Sequence, residues 1–218
     1  MIKAVFFDVG GVILDESREF GTWADWLGVP RHTFSAVFGA AIARGLDWQE
    51  PFRVFRPGFD LAAELERRAA AGKPESFGEE DLYPDARSCL TALKDQGLVV
   101  GLAGNQPAHA EATLRALDLA VDVIGTSHGW GVAKPSPAFF EHVIREGGGD
   151  ASSILYVGDR PDNDARPAKK AGMKTCLIRR SPWGHILDMP AVSEQCLFRI
   201  DSLDKLPTLV AKHNAVSG

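Results

Sequence analysis

The sequence predicts an α/β protein: a doubly wound parallel sheet that carries an inserted all-helical subdomain. Two patterns predict this architecture. Six short apolar runs recur along the chain, and stretches with helical periodicity separate them. Continuous apolar runs are typical of strands buried on both faces of a parallel sheet, and their alternation with helices is typical of the α/β class. A long aromatic-rich stretch after the first run interrupts this alternation and indicates the insertion.

The predicted strands and helices alternate along the chain. The strands lie at residues 2–7, 98–104, 121–127, 153–159, 174–180 and 196–202. The helical patterns between the later strands lie at residues 85–97, 108–119, 136–148 and 162–173. The first of these helices ends at Gly97, a residue that favours helix termination. Because crossovers between parallel strands are right-handed, we expect helices on both faces of the sheet.

Residues 15–84 form the predicted insertion. Amphipathic helical patterns lie at 34–46 and 60–72, and no strand pattern is evident. Aromatic side chains at helical spacing favour packing over ligand binding, so we expect them to form the core of this subdomain. This expectation concerns Trp23, Trp26 and Phe34. The predicted domains are therefore an α/β core, residues 1–14 and 85–218, and a helical subdomain, residues 15–84.

Composition narrows the class of protein. Hydrophobic residues make up 45% of the 218 residues and the net charge is −5, so a nucleic-acid partner is not expected. No apolar stretch approaches the ~20 residues that cross a bilayer, so no membrane partner is expected either. The three cysteines, Cys89, Cys176 and Cys196, have neither metal-ligand spacing nor a disulfide framework. We expect a cytoplasmic protein, either a monomer or a homodimer.

Charged and polar residues follow several of the predicted strands. Asp8 follows the first strand, Asn105 the second, and Asp159 and Asp164 the fourth, while Lys134 lies between the third and fourth. Ligands of open parallel sheets bind at the carboxyl ends of the strands, so these side chains are expected to meet. Carboxylates gathered there repel one another, and Mg²⁺ together with a lysine would offset that repulsion. Such a pocket could hold a phosphoryl group beside an attacking carboxylate.

Four of these stretches together resemble the haloacid dehalogenase superfamily of hydrolases, whose core is a Rossmann-like sheet. The stretches are "VFFDVGGVIL", "VGLAGNQ", "KPSPAFF" and "VGDRPDNDARPAKKAGM", and each is similar to one of the four motifs of that family, in the same order. The resemblance covers residues 1–14 and 85–206. The helical insertion resembles the cap that some members carry directly after the first motif.

The resemblance implies roles for individual residues. It implies that Asp8 and Lys134 are catalytic, with Asp8 attacking phosphorus to give an aspartyl-phosphate. It implies that Mg²⁺ is held by Asp8, by the backbone carbonyl of Gly10 and by Asp159, with support from Asp164. The residues implied to bind the phosphate are Gly10, Gly11, Gly104 and Asn105.

The sequence departs from the family pattern at two glycines. Gly10 stands where phosphatases of the family usually carry a second aspartate, a general acid/base of a kind typically worth ~10²–10⁴ in rate. Gly104 stands where they usually carry serine or threonine, and one hydroxyl contact is typically worth ~1–2 kcal/mol. A substrate with a good leaving group, such as a sugar 1-phosphate or an acyl-phosphate, would need less acid catalysis.

Three functions remain open at this point. The leading prediction is a Mg²⁺-dependent phosphatase that acts on a small phosphorylated metabolite. The first alternative is a metal-independent 2-haloacid dehalogenase, because those enzymes also lack the second aspartate. The second alternative is a weakly active relative that binds a phosphorylated ligand or a protein partner.

Overall fold

A computed structural model describes residues 1–187 and 189–217 of the chain, which form two compact units. The first unit comprises Met1–Asp15 and Leu82–Gly218, and the second comprises Glu16–Asp81. The first unit contains a six-stranded sheet, and each of the six predicted strand segments contains one of its strands. The strands are β1 (Ala4–Phe7), β2 (Val99–Gly104), β3 (Val123–Thr126), β4 (Ile154–Gly158), β5 (Lys174–Ile178) and β6 (Phe198–Ile200).

All neighbouring strands are parallel, and their order in the sheet is β3-β2-β1-β4-β5-β6. The chain builds the sheet outward from β1 to β3 and then returns to place β4 on the other side of β1. Phe7 of β1 pairs in register with Val157 of β4, so these two strands end side by side. The switch in strand order therefore lies between the ends of β1 and β4, where parallel sheets bind their ligands. The predicted fold class is confirmed.

Eight helices of the α/β unit surround the sheet in the described part of the chain. They are α5 (Ala86–Asp95), α6 (Ala108–Ala116), α7 (Ser127–Trp130), α8 (Pro137–Glu146), α9 (Arg166–Lys170), α10 (Pro182–Ile186), α11 (Pro190–Ser193) and α12 (Leu206–Ser217). Phe139, Phe140 and Val143 of α8 pack fully buried against the sheet residues Phe6 and Tyr156. The apolar face of α8 thus closes the core beneath the ends of β1 and β4.

The predicted helix at 162–173 differs in its first turn. A π-helical turn, Pro161–Ala165, precedes α9. The N–H of Ala165 donates to the carbonyl of Arg160 at 3.3 Å, five residues back, while the N–H of Arg160 donates to the Asp164 carboxylate at 3.0 Å. The wider turn accompanies a side chain that folds back onto its own backbone. Such turns are frequent at functional sites.

Four α-helices form the second unit in the described residues: α1 (Ser17–Leu27), α2 (Arg31–Ala43), α3 (Glu50–Phe55) and α4 (Leu61–Ala70). Trp23 and Phe34 are each 1% exposed, and both rings contact Phe52 edge-on, at centroid distances of 5.3 and 5.2 Å. The expectation that aromatic side chains form this core is confirmed for Trp23 and Phe34. Trp26 is instead half-buried and donates its Nε1–H to Glu64 at 2.7 Å.

Nowhere in residues 1–187 and 189–217 does a helix combine the length and the apolar character that crossing a bilayer requires.

Candidate active site

Three carboxylates lie together beyond the ends of β1 and β4. Asp8 directly follows β1, Asp159 directly follows β4, and Asp164 lies in the π-helical turn after it. One carboxylate oxygen from each lies within 4.8 Å of the other two. The residues are only 8%, 3% and 0% exposed, so water screens their mutual repulsion poorly. The sheet topology brings together the three aspartates that the sequence places at strand ends.

Lys134 is the cation of this cluster. Its Nζ lies 2.8 Å from Asp8 Oδ1 and 2.6 Å from Asp164 Oδ1, and the side chain is almost fully buried. Asn105 holds the lysine backbone with both halves of its amide. Its Nδ2 donates to the Lys134 carbonyl at 3.0 Å, and the Lys134 N–H donates to its Oδ1 at 2.7 Å. Asn105 is thus a positioning residue for Lys134, and its direct contact with a phosphate stays a prediction.

Negative charge exceeds positive charge in this cluster. Burial and the neighbouring carboxylates of Asp164 and Asp8 raise the pKa of Asp159 well above its ordinary value. Burial raises the pKa of Asp164 to about 6, and although Lys134 acts against this rise, Asp8 adds to it. Burial alone would lower the pKa of Lys134, but the charges of Asp164 and Asp8 raise it well above normal. The charges of Asp164 and Asp8 therefore favour the charged form of Lys134, while burial favours the neutral forms of Asp159 and Asp164.

Two glycines leave space for these carboxylates. Gly11 has φ +68°, and a Cβ placed on it would lie 2.6 Å from Asp159 Oδ2. A Cβ on Gly104 would lie 2.6 Å from Asp8 Oδ1, so a larger residue there would displace the Asp8 side chain. The glycine that departs from the family pattern at position 104 thus matches the conformation of the carboxylate beside it.

The loop after Asp8 folds back on itself, and the Gly10 carbonyl takes no part in the hydrogen bonds that close it. Leu14 donates its N–H to the Val9 carbonyl at 2.9 Å and accepts the Gly11 N–H at 2.9 Å. This bridge passes over Gly10, so the Gly10 carbonyl takes no part in it. The backbone oxygen that the sequence analysis assigns to a metal is thus not used by the bridge that closes the loop.

Ser181 is a residue of the site that the sequence analysis missed. Its hydroxyl donates to Asp159 Oδ2, and it also caps α10 by accepting the Gly184 N–H at 3.1 Å. A serine before a short helix has the sequence signature of a cap, and nothing in that signature indicates that its hydroxyl also reaches the end of β4.

The donor set fits a hard divalent cation. Three buried carboxylates and one buried ammonium leave a formal charge of −2, and all the available ligand atoms are oxygens. Mg²⁺ prefers such oxygens, and its charge would offset the excess that raises the pKa of Asp159 and Asp164. Asp8, Asp159 and Asp164 could therefore hold a metal ion.

Comparison with known proteins gives a consistent family. A model of the haloacid dehalogenase-like hydrolase family matches residues 2–172. A glyceraldehyde 3-phosphate phosphatase of Methanocaldococcus jannaschii is 32% identical over 131 residues, which cover 59% of this chain and 56% of that protein. A phosphoserine phosphatase of Thermus thermophilus is 28% identical over 74% of this chain and 69% of its own length.

Solved structures share the fold. The HAD-hydrolase YfnB of Bacillus subtilis, solved bound to magnesium, matches with a TM-score of 0.68 at 21% identity, and the match covers 95% of this chain and 98% of that one. At this level of identity the likeness shows the architecture of the chain.

Proposed function

The chain belongs to the haloacid dehalogenase-like hydrolases, and we propose that it is a Mg²⁺-dependent phosphatase of small phosphorylated metabolites. The observation that carries this proposal is the Asp8 carboxylate, 2.8 Å from the buried ammonium of Lys134 and within 4.8 Å of the acids Asp159 and Asp164. A carboxylate nucleophile next to a fixed cation is suited to an electrophile that is itself an anion, such as a phosphoryl group.

In the proposed reaction, an Asp8 carboxylate oxygen attacks phosphorus, and the phosphorus–oxygen bond to the leaving group breaks. Water then attacks the aspartyl-phosphate, releases inorganic phosphate and restores the carboxylate. The Nζ of Lys134 neutralises charge on the attacking carboxylate and on the phosphoryl oxygens. Backbone N–H groups near Gly11 and Gly104 bind those oxygens, and Asn105 holds Lys134 in place.

The proposed metal ligands are Asp8, the Gly10 carbonyl, Asp159 and Asp164. When bound, Mg²⁺ would supply a second positive charge that lets the phosphoryl dianion approach the Asp8 carboxylate. Ser181 donates to Asp159 and holds its carboxylate in one orientation, as partners of metal ligands commonly do.

The absent side chain at Gly10 defines the substrate class that we propose. No carboxyl group at that position can protonate a departing alkoxide, so the enzyme favours substrates whose leaving group needs little protonation. Sugar 1-phosphates and acyl-phosphates have this chemistry. As part of the same proposal, residues 15–84 serve as the cap of the family and select the leaving group. We expect the enzyme in the cytoplasm, as a monomer or homodimer.

The test is phosphate release from p-nitrophenyl phosphate and from a panel of phosphorylated metabolites, with and without Mg²⁺. We expect release that requires Mg²⁺ and that falls by at least about 10³-fold in Asp8→Asn. Asp162→Asn is the matched control, because Asp162 lies in the same turn but pairs with Arg160 at 2.8 Å. It should change the rate by less than about twofold.

Two results would overturn the proposal. Phosphate release that persists in Asp8→Asn would show another nucleophile. Chloride release from 2-chloropropionate without added metal, together with no phosphate release from any ester, would identify a dehalogenase.

A further inference from the structure

A second cavity of about 620 Å³ opens in the α/β unit, at the ends of β4, β5 and β6. Its basic lining residues, Arg179, His185, Arg199 and Lys205, define what we call the arginine pocket. We propose that the arginine pocket binds a small phosphate monoester or phosphonate that carries a flat apolar group. Neither Asp8 nor Lys134 lines it, but the proposed metal ligand Asp159 does, so the arginine pocket adjoins the proposed catalytic centre.

The register of β5 and the edge strand β6 places both arginines on one side of the sheet. Arg199 of β6 pairs with Leu177 of β5, so their side chains share a face. Arg179 lies two residues beyond Leu177 and donates its N–H to the Ile200 carbonyl at 2.9 Å, which continues the ladder. The period of two along a strand therefore directs Arg179 to the face that Leu177 and Arg199 occupy. Arg199 lies within β6, and Arg179 directly follows β5.

These two arginines lack the partners that neighbouring residues have. Among residues 1–187 and 189–217, no hydrogen bond or ion pair holds the guanidinium group of Arg179 or of Arg199. The adjacent Arg180 instead makes two 2.8 Å hydrogen bonds to Asp85, and Lys205 pairs with Asp201. Two carboxylates also line the pocket, but Asp201 pairs with Lys205 and Asp159 accepts the hydrogen bond of Ser181. Among the described residues, the two guanidinium groups of the pocket therefore have no partner.

Two arginines suit a doubly ionised phosphate group. The planar guanidinium donates two parallel N–H bonds to phosphate or phosphonate oxygens, which a lysine cannot do. One such group carries up to two negative charges and would balance the pair. The charge and the donor geometry of the pocket together point to a phosphate or phosphonate dianion.

Part of the remaining wall is apolar, although Asp159, Ser193 and Asp201 also line it. Pro161, Leu177, Ile178, Leu187, Met189 and Ile200 line the cavity beside the arginines. A binding site with apolar walls and a few directed polar groups is typical of small organic ligands. The apolar wall would bury a ring attached to the phosphate, whereas inorganic phosphate would leave that wall in contact with water. This difference separates an organic ligand from a free anion.

The test is calorimetric titration of the full chain with phenylphosphonate at pH 8 in EDTA. Phenylphosphonate has an apolar ring and no ester bond to cleave, and EDTA removes the metal that the proposed catalytic centre requires. We expect one binding site in the wild type and in Asp8→Asn. The double variant Arg179→Ala/Arg199→Ala should bind at least about tenfold more weakly, because two charge-assisted hydrogen-bond donors are lost.

Arg166→Ala is the matched control: Arg166 is exposed, lies in the same unit and has no hydrogen-bond or ion-pair partner among the described residues. It should leave the affinity unchanged, and the thermal unfolding of the arginine variants should match that of the wild type. Methylphosphonate should bind more weakly than phenylphosphonate because it lacks the ring.

Three results would overturn the proposal. The first is no binding by the wild type. The second is binding that the double variant retains. The third is binding that Asp8→Asn alone abolishes, which would place the probe in the catalytic centre. Failure of the phosphatase assay would leave all three readouts intact, so the two proposals fail separately.

Discussion

Glu64 in the helical unit and Asp164 in the α/β unit are both almost completely buried carboxylates, and the two are held in opposite ways. Glu64 of the helical unit is 1% exposed and accepts hydrogen bonds from Trp26 at 2.7 Å, Arg56 at 2.6 Å and Arg67 at 2.6 Å. Burial acts to raise its pKa, but these donors outweigh burial and the pKa is lowered. Asp164 of the α/β unit is 0% exposed, and its pKa is raised to about 6.

The difference lies in the number of cations. Glu64 has two arginines to itself, whereas Asp164 shares Lys134 with Asp8. Asp159 has no ion pair with any described residue. A buried carboxylate with sufficient donors stabilises the folded unit, whereas a cluster with excess negative charge carries an electrostatic cost that a bound cation could remove. Glu64 is therefore a structural residue, whereas Asp159 and Asp164 are available for chemistry.

Removing the only lysine of the acidic cluster should have the largest effect. Lys134→Met removes the cation that faces Asp8 and Asp164, so we expect phosphate release, measured as kcat/KM with Mg²⁺, to fall at least about 10²–10³-fold. Arg67→Met removes one of the two arginines on Glu64 and should change kcat/KM by less than about twofold. Similar losses in both variants would show that the two clusters do not differ in function.

Removing Glu64, whose charge is balanced by two arginines, should reduce the stability of the folded protein. Glu64→Ala leaves Arg56, Arg67 and the Trp26 N–H without their shared acceptor, and we expect the free energy of unfolding to fall by about 2–4 kcal/mol. The two arginines are partly exposed, which keeps the loss below that of a fully buried pair. Urea unfolding followed by tryptophan fluorescence measures it. Glu66→Ala, at an exposed position of the same helix, should stay within about 0.5 kcal/mol of the wild type.

Removing negative charge from the cluster of Asp8, Asp159 and Asp164 should instead raise the stability of the folded protein. Folding raises the pKa of Asp164 from 3.8 to about 6, so the stability that this group contributes is complete below pH 4 and is lost as the pH rises through 6. In EDTA we therefore expect Asp164 to lower the stability of the wild type by about 1–2 kcal/mol between pH 5 and pH 8. Asp159→Asn removes a neighbouring negative charge and should raise stability at pH 8. If Asp159→Asn destabilises the metal-free protein at pH 8, the charge excess is not the cause.

Glu19 provides a smaller test within the helical unit. Burial and the nearby Glu75 raise its pKa from 4.5 to about 7, although Arg68 and Arg18 act against the rise. Its contribution to stability is complete below pH 4.5 and is lost as the pH rises through 7. Glu19→Gln should therefore be about 1 kcal/mol more stable than the wild type at pH 8 and equal to it at pH 4. Thermal unfolding at the two pH values measures this, and an equal gain at both would indicate a packing effect.

The sequence predicts the acidic cluster of the α/β unit better than it predicts the contacts of Glu64. Asp8 and Asp159 follow continuous apolar runs, and parallel pairing brings the ends of such runs together, so their meeting follows from the strand pattern. For Glu64, the sequence shows only Arg67 at a spacing of three on the same helix. Trp26 and Arg56 come from other segments, and their contacts with Glu64 depend on how the helices pack.

The roles that depend on where a side chain points are the hardest to predict from the sequence. Asn105 follows a strand, as a phosphate ligand would, but its amide turns to the backbone of Lys134, which lies 29 positions away in sequence. Ser181 reaches Asp159 because β5 lies beside β4 in the sheet, a neighbour relation that no local motif encodes. The π-helical turn likewise depends on Asp164 folding back to the N–H of Arg160. Local patterns identify which residues reach the site, and tertiary packing determines what they bind.

We propose that the charge excess around Asp159 and Asp164 forms a site for a divalent cation. Calorimetric titration of the metal-free protein with Mg²⁺ at pH 8 tests this most directly. We predict one Mg²⁺ site in the wild type and in Glu64→Gln, and binding at least about tenfold weaker in Asp159→Asn. Equal Mg²⁺ binding by the wild type and Asp159→Asn, or no binding by either, would contradict it.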